Sequence, residues 1–225
     1  MNPARIYAGP AIPRPPACVL LDFDGVIMDS MSLKLDSYCH AFAGLGFARE
    51  DIRRMQLATA GISRFRTVPL MYEALAGKPM PDALAAEALA RFHEHDEASR
   101  GSMVMKSGAR AFLDAALARG ITLAIVTGTP QAVIERTVAH FSLGGYFARV
   151  CGSPPAKPEH LARLAVEFGA APASCLYVGD AIKDQEAAVE TGMPFAGVNC
   201  GDDPFRPAGL SLEISGLDAL IPYLG

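Results

Sequence analysis

The sequence predicts an α/β fold built on an open, doubly wound parallel sheet. Short apolar runs recur along the chain without polar alternation, which is typical of strands buried on both faces of a parallel sheet. Amphipathic stretches of helical length separate these runs, so strand and helix alternate. The segment between Asp29 and Met105 interrupts the alternation with helical patterning only, which indicates an inserted helical subdomain.

Four apolar runs are the predicted strands. The first three are "ACVLL" before Asp22, "ITLAIV" before Thr127 and "CLYV" before Gly179, and a weaker fourth run is "PFAGVN". Their length of four to six residues fits strands better than buried helices. They therefore define the sheet.

The predicted core helices lie between these strands. They are "ARAFLDAALARG", "QAVIERTVAHF" and "PEHLARLAVEFG". The first and the last end at a glycine, the residue that suits a helix C-cap because it tolerates a left-handed backbone. The spacing therefore predicts strand-helix-strand units with crossover connections.

The predicted domains follow from the interrupted alternation. Residues 17–29 and 105–225 form the core, and residues 30–104 form a helical cap over the carboxyl edge of the first strand, where open α/β sheets bind ligands. Residues 1–16 are rich in proline and have no signal-peptide pattern, so we expect a flexible lead-in.

Composition limits the partners. The 225 residues carry a formal net charge of -4, and no apolar run approaches a membrane span, so we expect neither a nucleic-acid nor a membrane partner. The odd, scattered set of five cysteines predicts neither a disulfide framework nor a zinc site, and it favours a reducing cytoplasm. Both a monomer and a homodimer stay open.

Polar residues follow three predicted strands where each strand ends. They are Asp22 and Asp24 after the first, Thr127 and Gly128 after the second, and Asp180 with Asp184 after the third. Right-handed crossovers bring the carboxyl ends of parallel strands to one edge of the sheet. Four carboxylates would then surround one hydroxyl, and a hard divalent cation would relieve their repulsion. We therefore predict a magnesium site there, with Lys157 adding positive charge for an anionic substrate.

These residues resemble the four motifs of the haloacid dehalogenase superfamily of aspartate-nucleophile hydrolases. The first motif is similar to Asp22-Phe23-Asp24-Gly25-Val26, the second to Thr127, the third to Lys157, and the fourth to Gly179-Asp180 through Asp184. The resemblance covers nearly all of the chain after the lead-in. It implies a Rossmann-like core with a helical cap inserted after the first motif.

The resemblance also implies roles for the motif residues. Asp22 would attack phosphorus to form an aspartyl-phosphate, and Asp24 would protonate the leaving group and then activate the acceptor. Thr127 and Lys157 would hold the phosphoryl oxygens. Mg²⁺ would be held by the Asp22 carboxylate, the Asp24 backbone carbonyl and Asp180, with support from Asp184. Gly25 lets the chain turn so that both aspartates of the first motif face one site.

Within this superfamily, Asp24 favours phosphoryl transfer. Dehalogenases lack a second aspartate in the first motif, and phosphonoacetaldehyde hydrolases carry alanine there. The main hypothesis is therefore a Mg²⁺-dependent phosphatase for a small phosphorylated metabolite, a sugar phosphate or a phosphoglycolate-like acid. The alternatives are a mutase similar to β-phosphoglucomutase and, in another class, a binding module without turnover.

Specificity is expected from the cap. The stretch "AGISR" contains Gly61, Ser63 and Arg64, and it resembles a cap loop that meets the far end of the substrate in β-phosphoglucomutase and phosphoglycolate-phosphatase-like proteins. Arg64 offers a planar fork for a carboxylate or phosphate. Lys34 stands where many of these proteins, the mutase included, carry a histidine, and this difference counts against the mutase. We interpret "HEHD" at residues 93–96 as a solvated helix end, because residues two apart point to different faces.

Overall fold

We describe a computed structural model of the chain, covering residues 4–199 and 205–225. The strands are β1 Arg5–Ile6, β2 Cys18–Leu21, β3 Met28–Asp29, β4 Val104–Met105, β5 Thr122–Pro130, β6 Arg149–Ser153, β7 Cys175–Gly179, β8 Phe195–Val198 and β9 Leu212–Ile214. The helices are α1 Met31–Ala41, α2 Arg49–Ala58, α3 Arg64–Ala76, α4 Asp82–Ser99, α5 Ala109–Ala118, α6 Gln131–His140, α7 Lys157–Glu167 and α8 Ile182–Thr191. Cys200 lies outside the described residues.

The main sheet has seven strands in the order β1-β9-β8-β7-β2-β5-β6. All neighbouring pairs are parallel except β1 with β9. The chain proceeds outward from β2 in both directions, so the switch point of a doubly wound sheet lies at β2 and its neighbours β5 and β7. The predicted fold class is confirmed.

The central strands of the sheet are buried, as their continuous apolar sequences predict. Every residue of β2, β7 and β8 is buried, and α7 and α8 pack against one face through Leu161, Leu164 and Ala188. Burying apolar surface stabilises a fold by roughly 25 cal/mol per Å². This rigid layer fixes the positions of the strand ends. Among the described residues, no helix is both long enough and apolar enough to span a bilayer.

The chain divides into two compact units, residues 1–29 with 105–225 and residues 30–104. The second unit contains α1 to α4, and it has its own core around Val68, Met71 and Phe92. The ring centroids of Tyr38 and Phe92 lie 4.7 Å apart in that core. Whether this unit acts as a cap stays a prediction.

Residues 5–9 differ from the flexible lead-in that the sequence predicts for residues 1–16. Arg5 pairs with Glu213 in the antiparallel β1–β9 ladder, and the backbone N–H groups of Tyr7 and Gly9 donate to the carbonyls of Ser211 and Leu210. Residues 4–9 contain no proline, so each keeps the N–H group that an edge strand needs. The proline content of residues 10–16 obscured this pairing.

A bulge interrupts β5 at its carboxyl end. Val126 pairs with Cys151 and Pro130 with Ser153, so four steps on β5 face only two on β6. Gln131 satisfies the β6 backbone there: its Nε2 donates to the Val150 carbonyl at 2.9 Å, and its Oε1 accepts from the Gly152 N–H at 2.5 Å. Bulges beside functional sites redirect side chains, and this one carries residues 127–129 out of the regular ladder.

Gly152 is the residue that lets the bulge approach β6. A Cβ built on Gly152 would lie 2.6 Å from the Thr129 carbonyl oxygen and 2.7 Å from the Gln131 backbone, and backbone atoms cannot yield as a flexible side chain would. We expect Gly152→Ala to lower the free energy of unfolding by about 2–3 kcal/mol, as overpacking in a core does. Urea denaturation measures the change.

The matched control is Gly145→Ala, because a Cβ at Gly145 would meet nothing within 4 Å. We expect this control to change the free energy of unfolding by less than about 0.5 kcal/mol. Equal stability of the two variants would contradict the close approach at Gly152.

Candidate active site

The switch point of the sheet gathers three of the predicted site residues. Asp22 directly follows β2, Thr127 lies in the bulged half of β5, and Asp180 directly follows β7. The Asp22 N–H donates to the Val178 carbonyl at 2.8 Å, which extends the parallel ladder one residue beyond β2. Parallel strands with a common register thus bring these residues to one edge, as the sequence predicts.

Lys157 lies between two of the carboxylates. It is the first residue of α7, it is buried, and its Nζ lies 2.7 Å from Asp22 Oδ2 and 2.6 Å from Asp184 Oδ1. All three side chains are at most 6% exposed. Buried charges at this distance stabilise each other only when their hydrogen bonds are satisfied. Here the Lys157 ammonium donates a hydrogen bond to each of the two carboxylates.

Asp184 is held on both carboxylate oxygens. Its Oδ1 also accepts from the Tyr177 hydroxyl at 2.5 Å, and its Oδ2 accepts from the Ala181 N–H at 3.1 Å, a contact near the start of α8. The sequence analysis missed Tyr177. Its only signal was a hydroxyl inside an otherwise apolar buried run, "CLYV", which is a group that needs a partner.

Burial and charge shift the pKa values of this group in opposite directions. The pKa of Asp22 is raised to about 6 as the net result of several causes: burial raises it most, the Lys157 ammonium partly offsets this, and the nearby Asp184 and Asp24 carboxylates also raise it. Burial disfavours the Lys157 ammonium, but Asp184 and Asp22 outweigh it and raise the pKa of Lys157 above its usual range. Lys157 therefore stays charged and helps to keep Asp22 ionised at neutral pH.

Asp24 has a partner of its own in the bulge. The Thr129 hydroxyl donates to Asp24 Oδ2 at 2.8 Å, and both residues are 8% exposed. Thr127 is 2% exposed, and its Oγ1 accepts from the Thr129 N–H at 3.2 Å. Gly128, between the two threonines, is half-buried.

Two glycines allow the carboxylates to approach. Gly25 has φ 77°, and a Cβ there would lie 1.9 Å from Asp180 Oδ2. A Cβ on Gly179 would lie 2.2 Å from the Asp184 Cβ. Any side chain at either position would push a carboxylate away, so the site requires glycine at both.

The donor set fits a hard divalent cation. One carboxylate oxygen from each of Asp22, Asp180 and Asp184 lies within 4.8 Å of the others, and Asp180 is the partly exposed member. The four carboxylates of Asp22, Asp24, Asp180 and Asp184, together with the one ammonium of Lys157, carry a formal charge of three minus. Oxygen ligands of this kind are what Mg²⁺ selects, and the cation would offset most of that charge.

The predicted cap residues lie in the second unit. Gly61 has φ 80° and precedes α3, whose N-cap residue is Ser63. Arg64 is 7% exposed, its Nη1 lies 3.1 Å from Asp96 Oδ2, and its guanidinium lies 4.5 Å from the Phe92 ring centroid. The guanidinium therefore already has an anionic partner.

The charges of Lys34 and Arg64 both act on the buried Tyr38. Burial raises the pKa of Tyr38, and the positive charges of Lys34 and then Arg64 partly offset this. Tyr38 is 6% exposed, and Lys34 is half-buried.

The interpretation of "HEHD" at residues 93–96 as a solvated helix end is wrong for two of the four residues. His93 and Glu94 are exposed, but His95 Nδ1 lies 3.0 Å from Ser37 Oγ, and Asp96 pairs with Arg64 and with Arg100 at 3.0 Å. His93 and His95 do point to different faces of α4, as their spacing predicts. His95 and Asp96 lie on the side that packs against the rest of the unit, and there they have polar partners.

Comparison with known proteins agrees with this geometry. A sequence profile described as haloacid dehalogenase-like hydrolase matches residues 19–198. The chain therefore belongs to the haloacid dehalogenase-like hydrolases, which confirms the predicted family, and it is an enzyme of the hydrolase class.

Particular relatives point the same way. The phosphoglycolate phosphatase of Pseudomonas putida is 28% identical over 219 residues, which span 92% of this chain and 79% of the relative. A structure described as a predicted phosphoglycolate phosphatase from Haemophilus somnus has a TM-score of 0.78 at 19% identity, covering 91% of this chain and 96% of the other. A Thermotoga maritima structure whose name suggests a β-phosphoglucomutase has a TM-score of 0.70 at 22% identity, covering 92% and 97%. The two structures support the fold.

We expect Lys157→Met to lower the free energy of unfolding by about 3–5 kcal/mol, because it leaves two buried carboxylates without their cation. Urea denaturation in the presence of a chelator measures this. The control is Lys183→Met, since Lys183 forms an exposed i,i+3 pair with Glu186. A loss at Lys157 no larger than at Lys183 would contradict the role of the buried ammonium.

Proposed function

We propose that the protein is a Mg²⁺-dependent phosphatase that hydrolyses a small phosphorylated metabolite through an aspartyl-phosphate on Asp22. The observation that carries the proposal is the Lys157 ammonium 2.7 Å from Asp22 Oδ2 beside a triad of carboxylates. A charged lysine and a divalent cation are the groups that phosphoryl transfer needs for charge neutralisation. The curated relatives are phosphatases, which supports the same reaction class.

Asp22 is suited to act as the nucleophile. Its Oδ1 accepts from the Phe23 N–H at 2.6 Å, and its Oδ2 accepts from Lys157, so the carboxylate has one fixed orientation. One carboxylate oxygen attacks phosphorus in line with the ester oxygen, a P–O bond forms, and the ester P–O bond breaks. The Thr127 hydroxyl and Lys157 orient the phosphoryl oxygens during this step.

Asp24 is suited to handle the proton. It is buried beside Asp22, and it gives its proton to the departing ester oxygen. As a carboxylate it then removes a proton from water, which attacks the aspartyl-phosphate, restores Asp22 and releases inorganic phosphate. Mg²⁺ would be held by Asp22, Asp180 and the Asp24 backbone carbonyl, with support from Asp184, and it would supply charge neutralisation for the phosphoryl oxygens.

The second unit supports a small anionic substrate. We infer that Lys34, with Gly61 and Ser63 shaping the loop, receives a negative group at the end of the substrate opposite the phosphoryl group. Phosphoglycolate has such a carboxylate, and several relatives of this chain are named phosphoglycolate phosphatase. Arg64 takes part by exchanging Asp96 for the substrate anion, an exchange that its bidentate fork permits.

Removal of the nucleophile tests the reaction. We expect Asp22→Asn to lower the rate of phosphate release by at least about four orders of magnitude, because loss of a catalytic residue that acts in covalent catalysis costs about 10⁴- to 10⁶-fold in kcat. Since the pKa of Asp22 is raised to about 6, an uncharged amide should not lower the free energy of unfolding in chelator at pH 7.5. Phosphate release and urea denaturation measure the two effects.

Excess chelator should abolish phosphate release by the unaltered protein, and Mg²⁺ should restore it. If Asp22→Asn released phosphate as fast as the unaltered protein, the assignment of Asp22 as the nucleophile would be refuted. A folded protein without any release, whose activity appears only with a sugar bisphosphate activator, would instead support the mutase. No turnover under either condition, with retained ligand binding, would support the binding module.

Substrate choice tests Lys34. We expect Lys34→Gln to raise KM for phosphoglycolate about tenfold, or ~1.4 kcal/mol, and to leave KM for an uncharged alkyl phosphate within about twofold. Steady-state kinetics on both substrates measures this. Lys78→Gln, at an exposed position of the same unit, is the control and should change neither constant. Equal effects of Lys34→Gln on both substrates would refute the contact.

A further inference from the structure

Thr129 is a buried polar residue that none of the four sequence motifs includes. It lies two residues beyond Thr127 in the bulged half of β5, and its hydroxyl donates to Asp24 Oδ2 at 2.8 Å. Both residues are 8% exposed. The hydrogen bond is therefore largely shielded from water, which strengthens it.

The bulge fixes the backbone from which Thr129 reaches Asp24. The Thr129 N–H donates to Thr127 Oγ1 at 3.2 Å, and the Thr129 carbonyl passes so close to Gly152 that a Cβ there would lie 2.6 Å away. Gln131 closes the other side by bonding to two backbone groups of β6. A β-branched side chain on such a fixed backbone has few rotamers, so the hydroxyl is pre-oriented.

We propose that Thr129 is a positioning residue for Asp24, and this inference rests on the phosphatase function proposed above. The hydroxyl holds the Asp24 carboxyl in the orientation that delivers its proton to the ester oxygen. As the bond from Asp22 to phosphorus forms and the ester P–O bond breaks, the bonding pair stays on the ester oxygen, which takes the proton from Asp24. The Asp24 carboxylate that remains accepts the Thr129 hydrogen bond more strongly than the neutral acid does.

The inference predicts a dependence on the leaving group. An alkoxide leaves slowly unless it is protonated in the transition state, so an alkyl phosphate needs a well-placed acid. A p-nitrophenolate is stable without a proton, so p-nitrophenyl phosphate needs the acid far less. Loss of the Thr129 hydroxyl should therefore slow hydrolysis of the first substrate much more than that of the second.

The experiment compares phosphoglycolate with p-nitrophenyl phosphate in the full chain with Mg²⁺. Thr129→Val removes the hydroxyl at nearly constant volume, and Thr129→Ser keeps it. Thr137→Val is the matched control, because Thr137 is 1% exposed and its hydroxyl donates to the Val133 carbonyl at 2.8 Å, within α6. Should Thr129→Val fail to fold, Thr129→Ala removes the same hydroxyl without adding bulk.

We expect Thr129→Val to lower kcat/KM for phosphoglycolate about 10- to 100-fold and kcat/KM for p-nitrophenyl phosphate less than about threefold. The ratio kcat/KM is the constant to compare, because it reports formation of the aspartyl-phosphate and not its hydrolysis, which is common to both substrates. Thr129→Ser should recover most of kcat/KM for phosphoglycolate, and Thr137→Val should leave both constants unchanged.

Three results would overturn the inference. Equal losses of kcat/KM on both substrates would make Thr129 a structural or phosphate-binding residue. A rise in KM at constant kcat would indicate a substrate contact instead. Absence of turnover by the unaltered protein would refute the proposed function itself, and the inference with it. Failure of the proposed function is distinguishable from failure of the Thr129 inference, because the first is seen in the unaltered protein and the second only in the variants.

Discussion

One ammonium group shared by two buried carboxylates is the interaction on which the site depends. Moving Asp22 and Asp184 out of water is costly, and burial, the largest cause, raises the pKa of Asp22 even with Lys157 beside it. Lys157 offsets this because it is the first residue of α7 and points from there into the site at 2.6 and 2.7 Å from the two carboxylates. Asp22, the proposed nucleophile, is thus kept ionised by a residue 135 positions away in sequence.

The sheet makes this interaction possible. At the switch point, β2 lies between β5 and β7, so the residues that follow or end these strands share one edge. Glycine at positions 25 and 179 lets the Asp180 and Asp184 carboxylates approach, and the bulge in β5 brings a second hydroxyl, from Thr129, onto Asp24. Local backbone choices, rather than a flexible loop, therefore define the site, as preorganised catalysis requires.

The fold class was predictable because buried parallel strands are continuous apolar runs, and the motif residues other than Lys157 were predictable because they lie close after those runs. The partners within the site were not. Tyr177 reaches Asp184 from one face of β7, and Thr129 reaches Asp24 from the bulge in β5. Both contacts depend on the register between neighbouring strands, which a single sequence does not reveal. The pair of Arg64 with Asp96 joins two helices 32 residues apart, and β1 pairs with a strand that begins more than 200 residues later. Such long-range contacts follow from packing, not from local pattern.

The most direct test of this account is to look for a phosphoryl group on Asp22. The protein is mixed with Mg²⁺ and phosphoglycolate, the reaction is stopped in acid within the first turnovers, and the peptide that contains Asp22 is examined by mass spectrometry. The account predicts the added mass of one phosphoryl group on Asp22, removable by hydroxylamine and absent from Asp22→Asn. Turnover without any phosphorylated peptide, or with the phosphoryl group on another residue, would contradict it.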